Sequence, residues 1–253
     1  MRSNDRAFLL LEHISEHEFQ TLAEIADQVE LPRPTTLRFL RALEQRGWIS
    51  RDDRARYSLG PAVIALAHRY LSRTPVLSVA AKPMQELRDE LGETISLSAL
   101  AGTRRICIQE YVSPEPLRHV HEVGSVAPLH AGASGRLLLA YLTPEARAEV
   151  LASDLPELTA TTLTDSAALE RDCDEIRARG WTISHGEKTR GSVALAVPID
   201  DATTGSVYAL AVFAPAVRFD ADRNLEMWIA ALTQRARQIE EVIGAHPQAP
   251  TRS

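Results

Sequence analysis

The segment from Thr21 to Gly47 constrains the fold of this chain more than any other feature of its sequence. Thr21 and Glu24 form a capping-box pattern, in which a threonine hydroxyl and a glutamate three residues later satisfy free amides at a helix start. The short helix that begins there ends at Pro32. A longer helix begins at Arg33, where the following proline removes no hydrogen bond. We expect this second helix to end at Gly47, because glycine readily adopts the left-handed conformation of a helix C-terminus.

The surrounding pattern extends this pair of helices into a larger module. An apolar periodicity over residues 4–16 predicts a helix before the pair. Residues 48–50 and 56–59 have the composition of two strands, and residues 51–55 form a polar turn between them. Because this order is that of a helix-turn-helix with a β-hairpin wing, we predict a winged helix-turn-helix DNA-binding domain over residues 1–60.

Charge is distributed unevenly within this module. Residues 1–32 contain two arginines and seven acids, whereas residues 33–56 contain seven arginines and three acids, in a chain whose net charge is −6. Guanidinium groups suit phosphates and the acceptor edge of guanine. Arginines on a helix often form only its solvated face, but here the basic excess coincides with the predicted recognition helix and wing. The predicted contacts to double-stranded DNA are Arg33, Thr35, Thr36, Arg38, Arg41, Arg54 and Arg56.

A module of this size covers little DNA alone, so specific binding implies a homodimer or a tetramer. Residues 61–74 are predicted to form a linker helix whose apolar side chains either join two copies or cover the second domain.

That second domain is expected over residues 75–244. The last residues, 245–253, contain two prolines and are predicted to be a disordered tail.

The remainder of the chain interleaves strands with helices. Strands are predicted at residues 93–100, 105–111, 182–185, 194–198 and 206–213. Helices are predicted at residues 76–91, 133–141, 144–151, 167–179 and 220–243. This order indicates an α+β domain with a mixed or antiparallel sheet flanked by helices.

Composition excludes several classes of protein. Apolar residues make up 45% of the 253 and charged residues 25%, as in ordinary globular proteins. There is no apolar run long enough to cross a bilayer and no signal peptide at the N-terminus, so we expect a cytoplasmic protein without a membrane contact.

Cys107 and Cys173 are expected to be reduced. His13 and His17 lie four residues apart, but their acidic neighbours favour a solvated helix face, so neither a metal site nor a cofactor is expected.

In order and spacing, a set of short motifs resembles the IclR family (isocitrate lyase regulator-type) of bacterial transcription factors. The motifs are Leu31 to Leu40, Arg56 to Gly60, Gly92-Glu93-Thr94, Pro128 to Arg136 and Gly191 to Pro198. The resemblance covers nearly the whole chain. It implies a GAF-like effector-binding domain, dimers or pairs of dimers on an operator, and control of a metabolic operon, often one for organic or aromatic acids.

The same resemblance places the effector on the sheet, beneath the loop that leads into the helix at residue 133. Free amides at that helix start suit a carboxylate. Alternatively, the glycines there only permit a tight loop and Ser134 is only an N-cap. The effector-binding residues implied are Leu129, His130, Ala133, Ser134, Gly135, Ser184, Ser192, Ala194, Ala211 and Phe213.

Five of these positions depart from the family pattern. Ser184 stands where an acid is frequent, Ala194 where a cysteine is frequent, and Ser192 where an aliphatic residue is common. Ala211 and Phe213 stand where family members that bind small keto acids have serine. We therefore predict an effector with an apolar or aromatic body and one polar head held by the amides of residues 133–135. The alternative is that Phe213 fills the pocket and the domain serves assembly.

Other functions remain open at this point. Activation instead of repression, and control by a protein partner, are both compatible with the sequence. An enzyme, with Ser134 as nucleophile, His130 as base and Asp165 or Glu187 as the orienting acid, is disfavoured because the glycines around Ser134 do not have the Gly-x-Ser-x-Gly spacing. We predict a transcriptional regulator, most simply a repressor, and no catalytic residue.

Overall fold

The computed structural model describes residues 3–245, and the chain divides into two compact units between Thr74 and Pro75. Each unit has its own buried apolar core. Within the described residues, no helix is both long enough and apolar enough to cross a membrane.

Apart from one short additional strand, the first unit has the predicted order of helices and strands. Its elements are α1 (Ser3–Glu16), β1 (Gln20–Thr21), α2 (Leu22–Gln28), α3 (Arg33–Gln45), β2 (Ile49–Arg51), β3 (Arg56–Leu59) and α4 (Ala62–Ser72). The capping box is confirmed: the Thr21 amide donates to the Glu24 carboxylate over 2.7 Å, and the Glu24 amide donates to the Thr21 hydroxyl over 3.4 Å. The strand β1 was not predicted. It pairs antiparallel with β3, so the wing is a sheet in the order β1-β3-β2.

The core of this unit packs α3 against the other elements. The buried side chains of the core are Leu10, Ile14, Ile25, Leu40, Ile49 and Tyr57, with Phe39 and Leu43 packed against them. One face of α3 is therefore anchored in the core of this unit. In contrast, α4 buries none of its side chains.

The second unit is an α+β domain built on one six-stranded sheet. Its elements are α5 (Pro75–Leu91), β4 (Thr94–Ala101), β5 (Arg104–Tyr111), β6 (Val126–Pro128), α6 (Ala133–Ala140), α7 (Pro144–Leu151), α8 (Ser166–Arg179), β7 (Thr182–His185), β8 (Ser192–Asp201), β9 (Ser206–Pro215) and α9 (Ala221–Ala245). A 3-10 turn at Ala216–Arg218 precedes α9.

The strand order is β6-β5-β4-β9-β8-β7, and every pairing is antiparallel. The largest differences from the prediction are in two strands. The short β6 was not predicted, and β8 extends beyond both ends of the predicted strand at residues 194–198. At Pro198, β8 has a paired neighbour only on the β9 side, since β7 ends its pairing at Ala196. A proline is tolerated at such an edge.

Alternation along the central strands sorts large side chains from small ones. On the face covered by α5 and α9, β9 presents Tyr208, Leu210 and Val212. On the face covered by α6 and α8, it presents Ala209, Ala211 and Phe213. The small side chains allow α6 to pack close to the sheet, and the candidate cavity lies at this layer.

The predicted disordered tail, residues 245–253, lies outside the described residues except for Ala245, where α9 ends.

Candidate functional site

The outer face of α3 presents two free guanidinium groups. Arg38 and Arg41 lie three residues apart, so they share one face of the helix, and both are exposed. Neither forms an ion pair with any side chain among residues 3–245. The Arg38 guanidinium lies over the Phe39 ring, 5.2 Å from its centroid. This face therefore carries positive charge whose hydrogen-bond donors remain available to a ligand.

The start of α3 contains the other predicted helix contacts. Arg33 is exposed, and its guanidinium lies 3.9 Å from the Asp27 carboxylate. Thr35 is half-buried. The predicted contact Thr36 does not lie on this surface: its side chain is fully buried, and its hydroxyl donates to the Pro32 carbonyl. Thr36 therefore holds the helix start in place and presents no group to a DNA groove.

The turn of the wing is organised around Asp52. One carboxylate oxygen accepts hydrogen bonds from the amides of Arg54 and Arg56, and the other accepts from the Arg56 guanidinium over 2.8 Å. These bonds, led by the one from the Arg56 amide, lower the pKa of Asp52. The charge of Arg56 is thus neutralised inside the wing. Arg54, at the tip, is exposed and has no ion-pair partner among the described side chains, so it is the predicted wing arginine that remains free.

The second unit contains a small cavity between the start of α6, the loop that joins β7 to β8, and the sheet. The residues that line it are Arg105, His121, Ala131, Gly132, Ala133, Ser134, Ser184, Lys188, Thr189, Ser192, Ala194 and Phe213. Six of the ten predicted effector residues meet here: Ala133, Ser134, Ser184, Ser192, Ala194 and Phe213.

The other four predicted effector residues do not line the cavity, and each has a structural role. Leu129 and Ala211 are fully buried in the core beneath α6. The His130 ring is buried and forms a hydrogen bond of 3.0 Å with the Pro156 carbonyl. A side chain at Gly135 would lie 2.9 Å from the Leu129 carbonyl oxygen, so this glycine permits close packing of α6.

A carboxylate of the protein itself, that of Glu187, is bound at the start of α6, one residue before the amides of residues 133–135 that the sequence predicts as the carboxylate site. The amide of Gly132, the N-cap of α6, donates to a Glu187 carboxylate oxygen over 3.0 Å. Two nitrogens of Arg136 bind the same carboxylate over 3.0 and 2.9 Å, and Arg136 also pairs with Asp172. A second carboxylate at this helix start would be repelled by Glu187.

Three charged or titratable residues of the cavity were not predicted: Arg105, His121 and Lys188. They come from β5, from the loop before β6 and from the loop after β7. Burial, followed by the Lys188 and Arg105 charges, lowers the pKa of His121 to about 3, so this ring is neutral at ordinary pH. Burial and then Arg105 lower the pKa of Lys188 to about 8. The three positions share no spacing or motif, so the sequence contains no signal that would group them.

The side chains of the cavity leave little free space inside it. The free space at its centre is about 20 Å³, about enough for one water molecule. The rings of Phe213 and His121 lie edge to face with centroids 3.8 Å apart. Phe213 therefore forms one wall and supports the His121 ring, and a ligand larger than water requires side chains to move.

The residues of the disfavoured catalytic arrangement are not assembled. Ser134 forms no hydrogen bond, since its buried hydroxyl has no partner among the described residues. His130 contacts Pro156, Glu187 is bound to Arg136, and Asp165 caps the start of α8 through the Ala168 amide. Within residues 3–245, no three histidine, cysteine or acidic side chains lie close enough together to hold a metal ion.

Comparison with known proteins gives matches over both units. Residues 3–53 match the family model described as the IclR helix-turn-helix domain, and residues 68–241 match that of the bacterial transcriptional regulator IclR C-terminal domain.

Three relatives illustrate the similarity. The HTH-type transcriptional regulator Rv1719 of Mycobacterium tuberculosis is 39% identical over 198 residues, which are 78% of this chain and 75% of that protein. The glycerol operon regulatory protein of Streptomyces griseus is 32% identical over 88% of both chains. The HTH-type transcriptional repressor AllR of Klebsiella pneumoniae is 29% identical over 90% of this chain and 85% of its own.

Solved structures agree with these matches. The chain is similar to a structure from Silicibacter sp. TM1040 described as an IclR transcriptional regulator, with a TM-score of 0.86, 28% identity and 96% of each chain covered. It is also similar to an IclR homologue from Microbacterium hydrocarbonoxydans in complex with 4-hydroxybenzoate. There the TM-score is 0.79 and the identity 25%, over 97% of this chain and all of that one.

Proposed function

The chain belongs to the IclR family of DNA-binding transcriptional regulators, and from this premise we propose that it represses a catabolic or metabolic operon until a small organic effector binds its second unit. Its site of action is then operator DNA in the cytoplasm. Repression is favoured over activation because the relative AllR is named a repressor. The relatives are regulators and not enzymes, so the function is binding and not catalysis.

The observation that carries the DNA-binding half of this proposal is the pair of free arginines on α3. Arg38 and Arg41 are exposed on one helix face without a carboxylate partner among the described residues, while the opposite face, including Leu40, is buried in the core. A recognition helix needs this division, with one face anchored and the other able to bind base edges and phosphates. Arg33 at the helix start and Arg54 at the wing tip extend the same cationic surface.

The effector half rests on the cavity beside α6. Ala133, Ala194 and Phe213 give it apolar walls, and Ser134, Ser184 and Ser192 line it with hydroxyl groups. Apolar lining with a few polar groups is the usual composition of a small-molecule site. The structural neighbour that holds 4-hydroxybenzoate supports an aromatic acid as the kind of effector.

Operator binding is proposed to require a homodimer or a pair of dimers. Four large apolar side chains of α4 are exposed: Ile64, Leu66, Tyr70 and Leu71. A second copy of α4 would cover such a surface and place two recognition helices on two half-sites. The effector would favour one arrangement of the second units, and its effect on DNA binding is limited by its differential affinity for the two arrangements.

The test is a gel-shift titration of the full chain with DNA from upstream of its own gene, repeated across a panel of aromatic and aliphatic acids. We expect a specific complex that one class of acid weakens. The test variant is Arg38→Ala, which removes a free arginine of α3. Its matched control is Arg223→Ala, which removes an exposed arginine of α9 with the same change in net charge. Loss of the complex in both variants, or in neither, would contradict the assignment of α3. A specific complex that every acid leaves unchanged would contradict control by an acid effector.

A further inference from the structure

Three arginines are buried in the described part of the second unit, and they differ in their partners. Arg136 binds the carboxylates of Glu187 and Asp172, and Arg147 binds that of Glu170. Arg105 is equally buried, with 2% of its surface exposed. Its guanidinium forms only a long hydrogen bond of 3.4 Å to the Ser98 hydroxyl and pairs with no described carboxylate. A buried guanidinium is normally paired, so Arg105 lacks the partner that its environment requires.

Lys188 adds a second cation on the same side of the cavity. Its ammonium lies 3.5 Å from Nδ1 of His121 and forms no ion pair with a described residue. Because an ammonium can only donate, Nδ1 accepts and the His121 proton is on Nε2. Nε2 is buried and has no partner among residues 3–245. His121 therefore offers the cavity an unused donor.

The carboxylate of Glu110 attracts both cations but does not neutralise them. Glu110 contributes attraction to both Arg105 and Lys188 without forming an ion pair with either. Its two oxygens accept hydrogen bonds from the amides of His121 and Glu122 over 2.7 and 3.1 Å. One carboxylate faces two cations, so this end of the cavity keeps a net positive charge.

The polar groups of the cavity are thus mainly unused donors. Arg105, Lys188 and Nε2 of His121 donate only, and the buried Ser134 hydroxyl, which has no partner in the described structure, can donate as well. Such a set fits a group that only accepts hydrogen bonds and carries negative charge. At the opposite end, Glu187 already occupies the start of α6.

We propose that Arg105 and Lys188 bind the carboxylate of the effector at the β5 side of the cavity, with its apolar body against Phe213 and the start of α6. This inference rests on the proposed function and gives the effector the reverse of the orientation that the sequence predicts. It makes Arg105 and Lys188 the residues that select acids over neutral compounds of the same shape. Because free space is small, an effector displaces the Lys188 side chain as it enters.

The first test needs no ligand. If Arg105 serves binding, replacing it by methionine removes an unpaired buried charge, so Arg105→Met should leave the Tm of the full chain unchanged or raise it. The matched control Arg147→Met breaks a buried pair and should lower the Tm. A fall of the Tm in Arg105→Met as large as that in Arg147→Met would show a structural arginine and overturn the proposal.

The second test measures ligand selectivity by thermal shift and calorimetry. Benzoate, 4-hydroxybenzoate, phenylacetate and pyruvate are compared with their primary amides. We expect at least one acid to raise the Tm of the wild type while its amide does not. Arg105→Met should weaken binding of that acid roughly 30-fold or more, Lys188→Met less, and Arg147→Met not at all. Equal stabilisation by acid and amide, undiminished binding in Arg105→Met, or no stabilisation by any acid would each overturn the proposal.

Gel shifts with the same compounds separate this inference from the proposed function. If an acid binds through Arg105 but leaves the operator complex unchanged, the carboxylate assignment stands and control of DNA binding fails. If an amide weakens the operator complex as well as its acid does, control by an effector stands and the carboxylate assignment fails.

Discussion

Arg38, Arg41 and Arg54 of the first unit are exposed and have no carboxylate partner among the described residues, whereas Arg136 and Arg147 of the second unit are buried against carboxylates. In the first unit the guanidinium groups are solvated and unpaired, so they add little to folding and remain available for the proposed contacts to DNA. In the second unit they are desolvated and satisfied, so they hold helices to the sheet. The two sets differ in burial and in pairing together, so only a residue that is buried and unpaired can show which property decides the role.

Arg105 is the residue on which this comparison is most informative. It has the burial of Arg136 but the missing partner of Arg38. If pairing decides the role, Arg105 belongs with the binding arginines although it lies in the core of the second unit. The variants below test this division, in order of decreasing effect.

Arg136→Met should cause the largest loss of stability. Removing the guanidinium leaves the mostly buried Glu187 without its counter-charge and Asp172 with only Arg179, 3.8 Å away, and breaking comparable buried pairs costs about 3–5 kcal/mol. Urea unfolding followed by tryptophan fluorescence measures the change. Arg171→Met, on the exposed face of α8, is the control and should change stability by less than about 0.5 kcal/mol. Equal effects of the two variants would remove the distinction between paired and unpaired arginines.

Arg38→Ala should have the next largest effect, on DNA and not on folding. We expect a loss of ~1–3 kcal/mol in specific operator binding if the side chain contacts a base, with the unfolding free energy nearly unchanged. Fluorescence anisotropy on operator and random DNA measures both affinities. A similar loss on both DNAs would show a phosphate contact, and no loss on either would contradict the role of the outer face of α3.

Lys188 gives the second unit a stability that depends on pH. Its pKa is lowered from 10.5 to about 8, with burial and Arg105 as the main causes, while Cys107, Glu110 and His121 also face it. Between these values the unfolded chain binds more protons, so the unfolding free energy should rise with pH from about 8 to 10.5. Because Lys188 is partly solvated, we expect a rise of about 1 kcal/mol. Unfolding at several pH values should show this rise as the difference between the wild type and Lys188→Met, because the buried Cys107 and Cys173 thiols, with pKa values raised to about 11, lower the stability of both proteins over the same range.

Ser134→Ala should produce the smallest change. The buried hydroxyl has no partner in the described structure, so its removal should alter stability by less than about 0.5 kcal/mol or raise it slightly. If the hydroxyl contacts an effector, affinity for that effector should fall by about 0.5–1.5 kcal/mol. Calorimetry of the wild type and the variant measures both quantities. A large loss of stability would indicate a hidden structural bond and would place Ser134 with the paired groups.

Much of the fold is predictable because its signals are local. The capping box at Thr21 and Glu24 begins α2 as expected, and Gly47, two residues after the end of α3, has the expected left-handed conformation, with a φ of 72°. The strands β1 and β6 were not predicted because they are short and depend on distant partners. Gln20, for example, pairs with Tyr57 on a strand that begins far along the chain.

The candidate site was less predictable because its contacts join residues that are far apart in the sequence. The small residues near α6 were found through a motif resemblance, but Gly135 and His130 serve packing and a hydrogen bond to Pro156. Arg105 and Lys188 meet only because β5 and the loop after β7 converge on one cavity. Whether an arginine in a strand is buried can be predicted only when the register of the sheet is known.

The most direct test of the account measures operator affinity for the wild type and Arg105→Met, with and without an acid that stabilises the wild type. If Arg105 binds the effector, the two proteins should bind the operator equally well without the acid; with the acid, binding should weaken in the wild type and stay unchanged in Arg105→Met at the same concentration. The same response to the acid in both proteins would contradict the claim that a buried, unpaired arginine connects the effector to control of DNA binding.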